Sequence, residues 1–439
     1  MKQGLLKCLI PSLLYSSVTL VACADSPSNR GSGPAGIQGK STDTAQDVRV
    51  IVPAGFHTVV YANGLSGARH LTVAGNGDVY VKLAKLKDGK GIYRLHDSNQ
   101  DGKAESVAGF GKFTGTGIAI KNGYLYASSD QEVFRYKLDA NDQVTNPDNP
   151  EKIVTGLLNR GEHEAKAITL DNNGNLYVNI GAYSNACQVN DRTKGSPGMK
   201  PCPILDSAGG IWQFKADRPN QTYKDGIRYA TGLRNVVGLD WNAATNSLFV
   251  MQHGRDQLDD LYPDLYNAKQ NAELPAECLY ELHQGVDCGW PYIYYDQLQH
   301  KKILSPEYGG DGKKTAGENA LDPLVAFPGH LAPNALLFYT GNQFPDKYRN
   351  GAFIAFHGSW NRAPEPQKGF YVVFVPFRDG KPSGDWEVFA DGFGGGPDLV
   401  ASGRVKHRPC GLAQGPDGSI YVSDDSNKGT IWKITYTGK

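Results

Sequence analysis

Six of the ten histidines, together with several arginines, stand beside short apolar stretches, and these residue types suit proton transfer and anion binding. The clearest example is His163, which precedes the apolar run AITL in EHEAKAITLDNNGNLYVNIG (162–181). A histidine with a pKa near neutrality can abstract a proton, and a guanidinium group binds a carboxylate through two parallel hydrogen bonds. Several arginines around one site would suit a ligand with more than one negative charge. The residues concerned are His70, His163, His253, His330, His357, His407, Arg234, Arg255, Arg362 and Arg408.

These residues flank a hairpin pattern that occurs six times: a short apolar strand, a Gly/Asn/Asp turn, and a second strand with an aromatic residue. A propeller blade of four short strands needs about 40–50 residues, and the shorter intervals between copies fit one blade each. The sequence therefore predicts an all-β fold, a six-bladed β-propeller with an insertion between the fourth and fifth repeats. Two packed β-sandwiches are the alternative, but they do not explain six copies of one hairpin. The copies lie at 70–81, 117–127, 167–178, 238–250, 334–356 and 411–422.

Hairpin geometry predicts where the histidines and arginines meet. Whatever precedes the first strand and follows the second lies at the same end of a hairpin, opposite the turn. Around a propeller, those ends form one face of the central channel, and we expect the site there. Taken singly, each histidine fits an ordinary surface role, and each arginine fits a partner for a nearby carboxylate. The strands FHTVVYA (56–62) and TIWKITY (430–436) are expected to share one blade and close the ring.

The N-terminus predicts export. Residues 1–22 have a positive start and an apolar core typical of a signal peptide, and they end in LVAC, which resembles a bacterial lipobox. Residues 23–48 would form a flexible tether with lipid on Cys23, and residues 49–439 would form the propeller. We therefore expect a periplasm-facing lipoprotein of the bacterial cell envelope, touching the membrane only through its lipid anchor. Cleavage that releases a soluble secreted protein is the alternative.

Composition and motifs exclude several classes of function. Lys+Arg and Asp+Glu balance at 45 each, so nothing indicates a nucleic-acid partner. The phosphate-binding glycine motifs and G-x-S-x-G are missing, which argues against nucleotide cofactors and serine-hydrolase chemistry. No C-x-x-C occurs, so covalent haem attachment is unsupported. The acidic run DSNQDGKAE (97–105) starts like a calcium loop, but its twelfth position is Ala108, which favours a solvated turn.

The cysteines predict two local disulfides in an oxidising compartment. Cys187 and Cys202 form the first pair by spacing, and Cys278 and Cys288 form the second. Cys410 is then expected to be free.

Several longer motifs carry a family resemblance. The stretches GLRNVVGLDW (232–241), MQHGRDQLDDLYP (251–263), VDCGWPYIYYD (286–296), AFHGSWNR (355–362) and GPDGSIYVSDD (415–425) resemble the pyrroloquinoline-quinone-dependent sugar dehydrogenases. The resemblance runs from about residue 50 to 437 and is strongest to the sorbosone-dehydrogenase-like branch. It implies oxidation of a sugar or a sugar-derived aldehyde or hemiacetal, by hydride transfer to pyrroloquinoline quinone bound with calcium. A separate quinone or redox carrier would then accept the electrons.

The same resemblance implies roles for individual residues. His163 would be the general base, and Arg234 would stabilise charge on the reactive quinone oxygen. The backbone carbonyls of Gly254 and Arg255 would bind calcium. The residues expected to contact the cofactor are Asn235, Arg408, Arg362 and His330.

The sequence departs from the family pattern at three positions. Cys410 stands where the family has a second carboxylate-binding arginine, and Ser359 stands near the position of a cofactor-contacting lysine. Ala182 replaces an acidic residue that follows the hairpin of the catalytic histidine.

Two other classes of function remain open. A six-bladed lactonase would hold a metal ion through Glu, Asp and Asn side chains at the channel centre, whereas a non-catalytic propeller would bind glycan or protein. Trp360 and Tyr183 could stack on a sugar, or could equally pack between blades.

Overall fold

The computed structural model describes residues 48–438. Most of these residues fold into six sheets, each with four antiparallel strands. The first strands of neighbouring sheets contact one another in sequence order, and the sixth sheet contacts the first. The prediction of a six-bladed β-propeller is confirmed. The predicted signal peptide and all of the predicted tether except residue 48 lie outside the described residues.

The first two blades are built from consecutive strands, and the third is interrupted only by Gln221–Thr222, which joins the second blade. The second and third blades each gain a short parallel strand at the outer edge. The strands of the three blades are Ala68–Val73, Val79–Lys87, Lys90–His96 and Ser106–Phe110; Ile118–Lys121, Tyr124–Ser128, Val133–Lys137 and Glu151–Thr155, with Gln221–Thr222 added; and Ile168–Leu170, Asn175–Ile180, Gly210–Lys215 and Ile227–Thr231, with Val286–Asp287 added.

The fourth and fifth blades also follow the chain, whereas the sixth combines strands from both ends. Their strands are Val236–Asn242, Ser247–Gln252, Glu277–Leu282 and Val325–Phe327; Pro333–Phe338, Ala352–Phe356, Tyr371–Val375 and Glu387–Ala390; and Pro409–Gln414, Ile420–Asp424, Ile431–Tyr436 and Phe56–Ala62.

Helices and minor hairpins occupy the connections. The α-helices are Leu258–Leu261, Ala268–Glu273 and Pro397–Ala401, and the 3-10 helices are Pro203–Asp206, Tyr223–Asp225, Pro306–Tyr308 and Asp346–Tyr348. The minor hairpins pair Ile293–Asp296 with Lys301–Leu304, and Phe377–Arg378 with Lys381–Pro382. In the described part of the chain, none of the helices is both long and apolar enough to cross a membrane.

The core lies between the blades. The aromatic residue predicted in the second strand of each blade is buried in all six cases. Tyr177 of the third blade, for example, stacks on Trp241 of the fourth with ring centroids 5.5 Å apart. Such contacts between large rings hold neighbouring sheets face to face and fix the ring of blades. The six residues are Tyr80, Tyr126, Tyr177, Phe249, Phe353 and Tyr421.

The ring closes as predicted, because Phe56–Ala62 pairs antiparallel with Ile431–Tyr436 in the sixth blade. The predicted insertion lies inside the fourth blade, where the first two α-helices and one minor hairpin interrupt its outer strands. The acidic run 97–105 forms a largely exposed turn between two strands of the first blade. Asp97, Asp101 and Glu105 bring carboxylate oxygens within 4.8 Å of one another there, so the preference for a solvated turn over a metal site stays a prediction.

One predicted disulfide is present and the other is wrong. Cys187 and Cys202 are bonded, whereas Cys278 and Cys288 are free and buried, as is Cys410. Cys278 lies on the third strand of the fourth blade, but Cys288 follows a short strand that pairs with the third blade. The two cysteines therefore belong to different blades despite their short spacing in sequence, and both thiols are buried.

Candidate active site

Two adjoining cavities occupy the end of the channel opposite the hairpin turns, and we call them together the cleft. Their volumes are about 170 Å³ and 420 Å³. Four of the six histidines predicted to converge line the cleft: His163, His253, His330 and His357. His70 lines the channel cavity beyond it, while His407 is buried with its Nδ1 against Asp424.

The backbone holds His163 in an unusual conformation just before the first strand of the third blade. Its φ is 52°, a left-handed value that is uncommon for residues other than glycine and is often found at functional sites. The facing residue, Gly181, has no side chain because a Cβ there would lie 2.6 Å from the Cβ of His163. The close approach of the two hairpin ends therefore positions the imidazole over the cleft.

Hydrogen bonding defines the tautomer of His163. Its Nδ1 donates to the carbonyl of Ala182, because a carbonyl can only accept. Ala182, one of the departures from the family pattern noted in the sequence, thus contacts the ring through its main-chain oxygen. Nδ1 carries the proton, and in the neutral ring Nε2 carries a free lone pair. Burial, with the nearby Arg234 guanidinium, lowers the pKa of His163 to about 3, so the imidazole is neutral at pH 7.

Arg234 lies beside this histidine with its guanidinium fixed at three points. Nη2 donates to Asp256 at 2.7 Å and Nη1 donates to the carbonyl of Gly254 at 2.9 Å. Nε donates to the carbonyl of Asn185 at 3.2 Å, and the residue is 3% exposed. A guanidinium held in this way is preorganised to stabilise negative charge that develops in the cleft.

Asp256 connects the cationic groups of the site, and the sequence prediction missed it. Besides Arg234, it accepts from both Nη atoms of Arg192 at 3.2 Å and from Asn361 Nδ2 at 2.7 Å. His330 Nδ1 lies 3.7 Å from Oδ1 of Asp256, the oxygen that accepts from Asn361. Burial opposes ionisation of Asp256, but these neighbouring cations, Arg234 first, hold its pKa well below the ordinary value. The sequence signal that could have indicated Asp256 is its position directly after the predicted calcium-binding residues in HGRD (253–256).

Oxygen donors gather in the smaller cavity. Gly254, Asp256 and Glu277 line it together. The Glu277 carboxyl accepts from the backbone nitrogen of Gly254 at 2.9 Å and from that of Ala332 at 3.2 Å. Burial raises the pKa of Glu277 to about 7. The oxygens of these three residues suit a hard divalent cation such as calcium, whose charge would favour the ionised carboxylate. Three histidines and the guanidinium of Arg234 line the same cavity, and Arg234 donates to Gly254 and Asp256.

The larger cavity is bordered by cations and amides. Arg408 lines it and donates to the carbonyls of Gly358 and Gly403, each at 3.2 Å. Neither bond neutralises the guanidinium charge, which suits this part of the cleft to an anionic ligand. Asn235 also lines it, and its Oδ1 accepts from Asn179 at 3.2 Å.

Two predicted site residues have side chains that do not line the cleft. Arg362 is buried, and its guanidinium binds Glu273 at 2.5 Å as well as the carbonyls of Ala272 and Gly329. These contacts tie the inserted helix Ala268–Glu273 to the fifth blade. Arg362 does not line either cavity, and its predicted contact with the cofactor stays a prediction.

The side chain of Arg255 pairs with the buried Glu307. The role predicted for Arg255 uses its backbone carbonyl, so it stays a prediction. Tyr183 is half-buried under Arg160, whose guanidinium lies 4.6 Å from the ring centroid. Trp360, in contrast, lines the larger cavity.

The fold and the site place this protein in the class of six-bladed β-propellers that carry a basic cleft at one end of the central channel. Within that class, the chain belongs to the TrAA12-like family, whose model matches residues 50–291 and 297–437. This confirms the family resemblance.

Three comparisons illustrate it. A pyrroloquinoline-quinone-dependent sugar dehydrogenase of Hypocrea jecorina is 23% identical over 415 residues, covering 87% of this chain and 90% of that protein. The holo pyrroloquinoline-quinone domain of Coprinopsis cinerea pyranose dehydrogenase superposes with a TM-score of 0.68 at 22% identity, covering 90% of this chain and 98% of that domain. A calcium structure of a Trichoderma reesei family AA12 enzyme gives 0.71 at 20% identity, covering 91% and 100%.

Proposed function

We propose that this protein is a pyrroloquinoline-quinone-dependent sugar dehydrogenase. The observation that carries the proposal is the pairing of a neutral His163, with Nε2 unprotonated, and the fixed guanidinium of Arg234 in one cleft. A base and an oxyanion-stabilising group in adjacent positions suit the oxidation of a hydroxyl to a carbonyl. Family membership and the names of the relatives support this reaction class.

Each residue of the cleft is proposed to have a separate role in that reaction. Nε2 of His163 takes the proton of the sugar hydroxyl, while the hydrogen bond to Ala182 keeps the ring in the required tautomer. Arg234 faces the position where negative charge develops. When bound, pyrroloquinoline quinone supplies the acceptor for the hydride that leaves the sugar carbon. Arg408, Asn235 and His330 are the residues proposed to hold the cofactor.

Calcium would bind at the oxygens of the smaller cavity. The predicted ligands are the carbonyls of Gly254 and Arg255, and the structure adds the carboxylates of Asp256 and Glu277 as candidates. The cation would offset the charge of an anionic cofactor beside these carboxylates.

The finer features of the proposal concern substrate, acceptor and location. An aldose or a sorbosone-type aldehyde is the expected substrate, and a quinone or a redox carrier is the expected acceptor. The Cys187–Cys202 disulfide supports an oxidising location outside the cytoplasm. Lipid on Cys23 is proposed to anchor the protein to the bacterial envelope, facing the periplasm.

Reconstitution tests the function. Adding pyrroloquinoline quinone and calcium to the purified protein should produce a bound-quinone spectrum, and aldoses, alditols and sorbosone should then be assayed with a dye acceptor. We expect dye reduction by at least one sugar only when both additions are present. Failure to gain the spectrum, or no oxidation of any sugar by the loaded protein, would refute the proposal.

A variant of the base tests the mechanism. His163→Ala should bind the cofactor normally but turn over at least ~100-fold more slowly, the typical contribution of a positioned general base. Quinone absorbance at saturation serves as the loading control. Near-normal turnover at full loading would show that another group takes the proton.

A metal-dependent lactonase is the second candidate, because Asp256, Glu277 and Asn361 line the smaller cavity. The match to the TrAA12-like family model over most of the chain favours the dehydrogenase. Calcium-dependent hydrolysis of a sugar lactone, without any quinone, would reverse this ranking.

A further inference from the structure

Trp360 holds its indole ring in solvent at the larger cavity of the cleft. It is 73% exposed, more than any other large apolar side chain in residues 48–438. The other five tryptophans of the chain are buried or half-buried. A tryptophan side chain in a folded protein usually buries roughly 150–250 Å² of surface. The indole of Trp360 leaves most of its surface exposed, so an apolar face is available to a ligand in the cleft.

The residues around Trp360 are fastened to the site, so the ring stands on a fixed support. Ser359 Oγ donates to the carbonyl of His330 at 2.9 Å, and Asn361 Nδ2 donates to Asp256 at 2.7 Å. Gly358 has a φ of +71°, and a Cβ there would lie 2.2 Å from the ring of Phe370. These contacts fix the backbone that carries the indole, which limits the conformational freedom lost when a ligand binds.

The surroundings of the ring define the chemistry of that ligand. Glu164 and Asn334 line the same cavity and offer hydrogen bonds around its edge. A pyranose matches both features, because it has a flat face of C–H bonds for stacking and a rim of hydroxyls for hydrogen bonds. An open-chain alditol or aldehyde has the hydroxyls but lacks the rigid flat face.

We propose that Trp360 is the stacking platform for the sugar and is the residue that favours a ring-closed sugar over an open-chain one. The inference rests on the proposed function, since it names the class of sugar and the residue that selects it. It ranks ring-closed aldoses above alditols and open-chain sorbosone-type aldehydes.

Kinetics of the reconstituted holoenzyme test the selectivity. The wild type is assayed with the best aldose of a panel and with the alditol of the same configuration, alongside Trp360→Ala, Trp360→Phe and Leu298→Ala. Leu298 is 58% exposed and does not line the cleft, so its variant controls for the loss of surface apolar area. Trp360→Ala should raise KM for the aldose about tenfold, the upper range for an aromatic contact, with kcat little changed. Trp360→Phe should retain most of the affinity.

Fluorescence gives a readout that does not depend on turnover. Titrating the full-length protein with the aldose should change the tryptophan emission saturably, and Trp360→Phe should lose that change. The alditol should give no comparable signal. If the wild type oxidises no sugar, the proposed function fails, but this titration still tests the platform.

Several results would overturn the platform. They are equal losses for aldose and alditol, an unchanged KM in Trp360→Ala, or no emission change with any aldose. A variant that needs more quinone for saturation would place Trp360 against the cofactor. A rise only in the KM of the dye would place it at the acceptor's contact.

Discussion

At the scale of single residues, the proton acceptor for His163 Nδ1 is the main-chain oxygen of Ala182. A neutral carbonyl raises the pKa of an imidazole less than a carboxylate does, because it adds no full negative charge. Burial and Arg234 then dominate, and the pKa of His163 falls to about 3. The departure at position 182 therefore preserves the Nδ1–H tautomer of His163, while the low pKa makes Nε2 a weaker proton acceptor than that of an ordinary histidine. An anionic ligand in the cleft would raise this pKa.

The two guanidinium groups of the cleft should differ in function, which a pair of variants can measure. Arg234→Gln should lower the rate at saturating quinone by about 10²–10³-fold, because Arg234 is preorganised where charge develops. Arg408→Gln should raise the quinone concentration needed for half-saturation and leave the saturated rate nearly intact. Turnover is measured against quinone concentration for both, and melting temperatures control for folding. Full rescue of Arg234→Gln by excess quinone would contradict its assignment to charge stabilisation.

How far the sequence predicts this site depends on where each residue stands in the hairpin. His163, Arg234 and Arg408 precede first strands, so the geometry of a hairpin predicts that they share one end. Glu277 begins the third strand of the fourth blade, after an insertion, and no local pattern distinguishes it from a surface carboxylate. Arg362 follows a second strand as the pattern requires, but its guanidinium binds Glu273 of the inserted helix instead of lining the cleft.

At the scale of elements, the loop closed by Cys187–Cys202 brings a cation to the site. Arg192 in this loop binds Glu162 at 2.5 Å and Asp256 at 3.2 Å. Glu162 lies 3.9 Å from Nε2 of His163. The loop thus holds together the carboxylate beside His163 and the carboxylate that fixes Arg234.

Removing the disulfide should affect stability and turnover together. The Cys187→Ser/Cys202→Ser variant should lose about 3 kcal/mol of unfolding free energy, as expected for a loop of this length, and should also turn over more slowly. Arg192→Gln is the matched control, since it should slow turnover while keeping most of the stability. Denaturant unfolding and kinetics of the loaded enzymes provide the two measurements. Unchanged turnover in both variants would show that the loop serves stability alone.

The wrong disulfide prediction also belongs to this scale. Ten residues separate Cys278 from Cys288, a spacing that suits a local link within one hairpin. The intervening chain instead leaves the fourth blade and adds an edge strand to the third. Sequence spacing carries no information about such a change of sheet, whereas the disulfide-closed loop of 187–202 stays within one connection. Mass spectrometry of unreduced peptides should find one link and free thiols at Cys278, Cys288 and Cys410.

At the scale of the whole molecule, the channel contains a carboxyl group that links two blades. Asp240 accepts from its neighbour Trp241 at 2.9 Å and from the backbone nitrogen of Phe338, in the fifth blade, at 2.8 Å. Burial raises the pKa of Asp240 from 3.8 to about 7. Between those values the folded protein holds a proton that the unfolded chain has released, so stability falls as pH rises through this window.

Asp240→Asn should remove that pH dependence. The stability of the wild type relative to the variant should fall between pH 4 and 7, by at most about 4 kcal/mol and by less where channel water screens the charge. Denaturant unfolding of both proteins at several pH values in this range provides the measurement. Parallel stability curves would mean that Asp240 ionises normally in the folded protein.

The sixth blade has a consequence for biogenesis. Its strand Phe56–Ala62 is synthesised long before its partner Ile431–Tyr436. The ring cannot close until that partner has been made, and contacts so distant in sequence form slowly. A product truncated before Ile431 would expose the edges of an open ring, which quality-control proteases and chaperones can recognise. Conversely, because the first and last strands of the ring pair in one sheet, a circular permutant of residues 48–438 with a new start at an exposed turn should assemble the same ring.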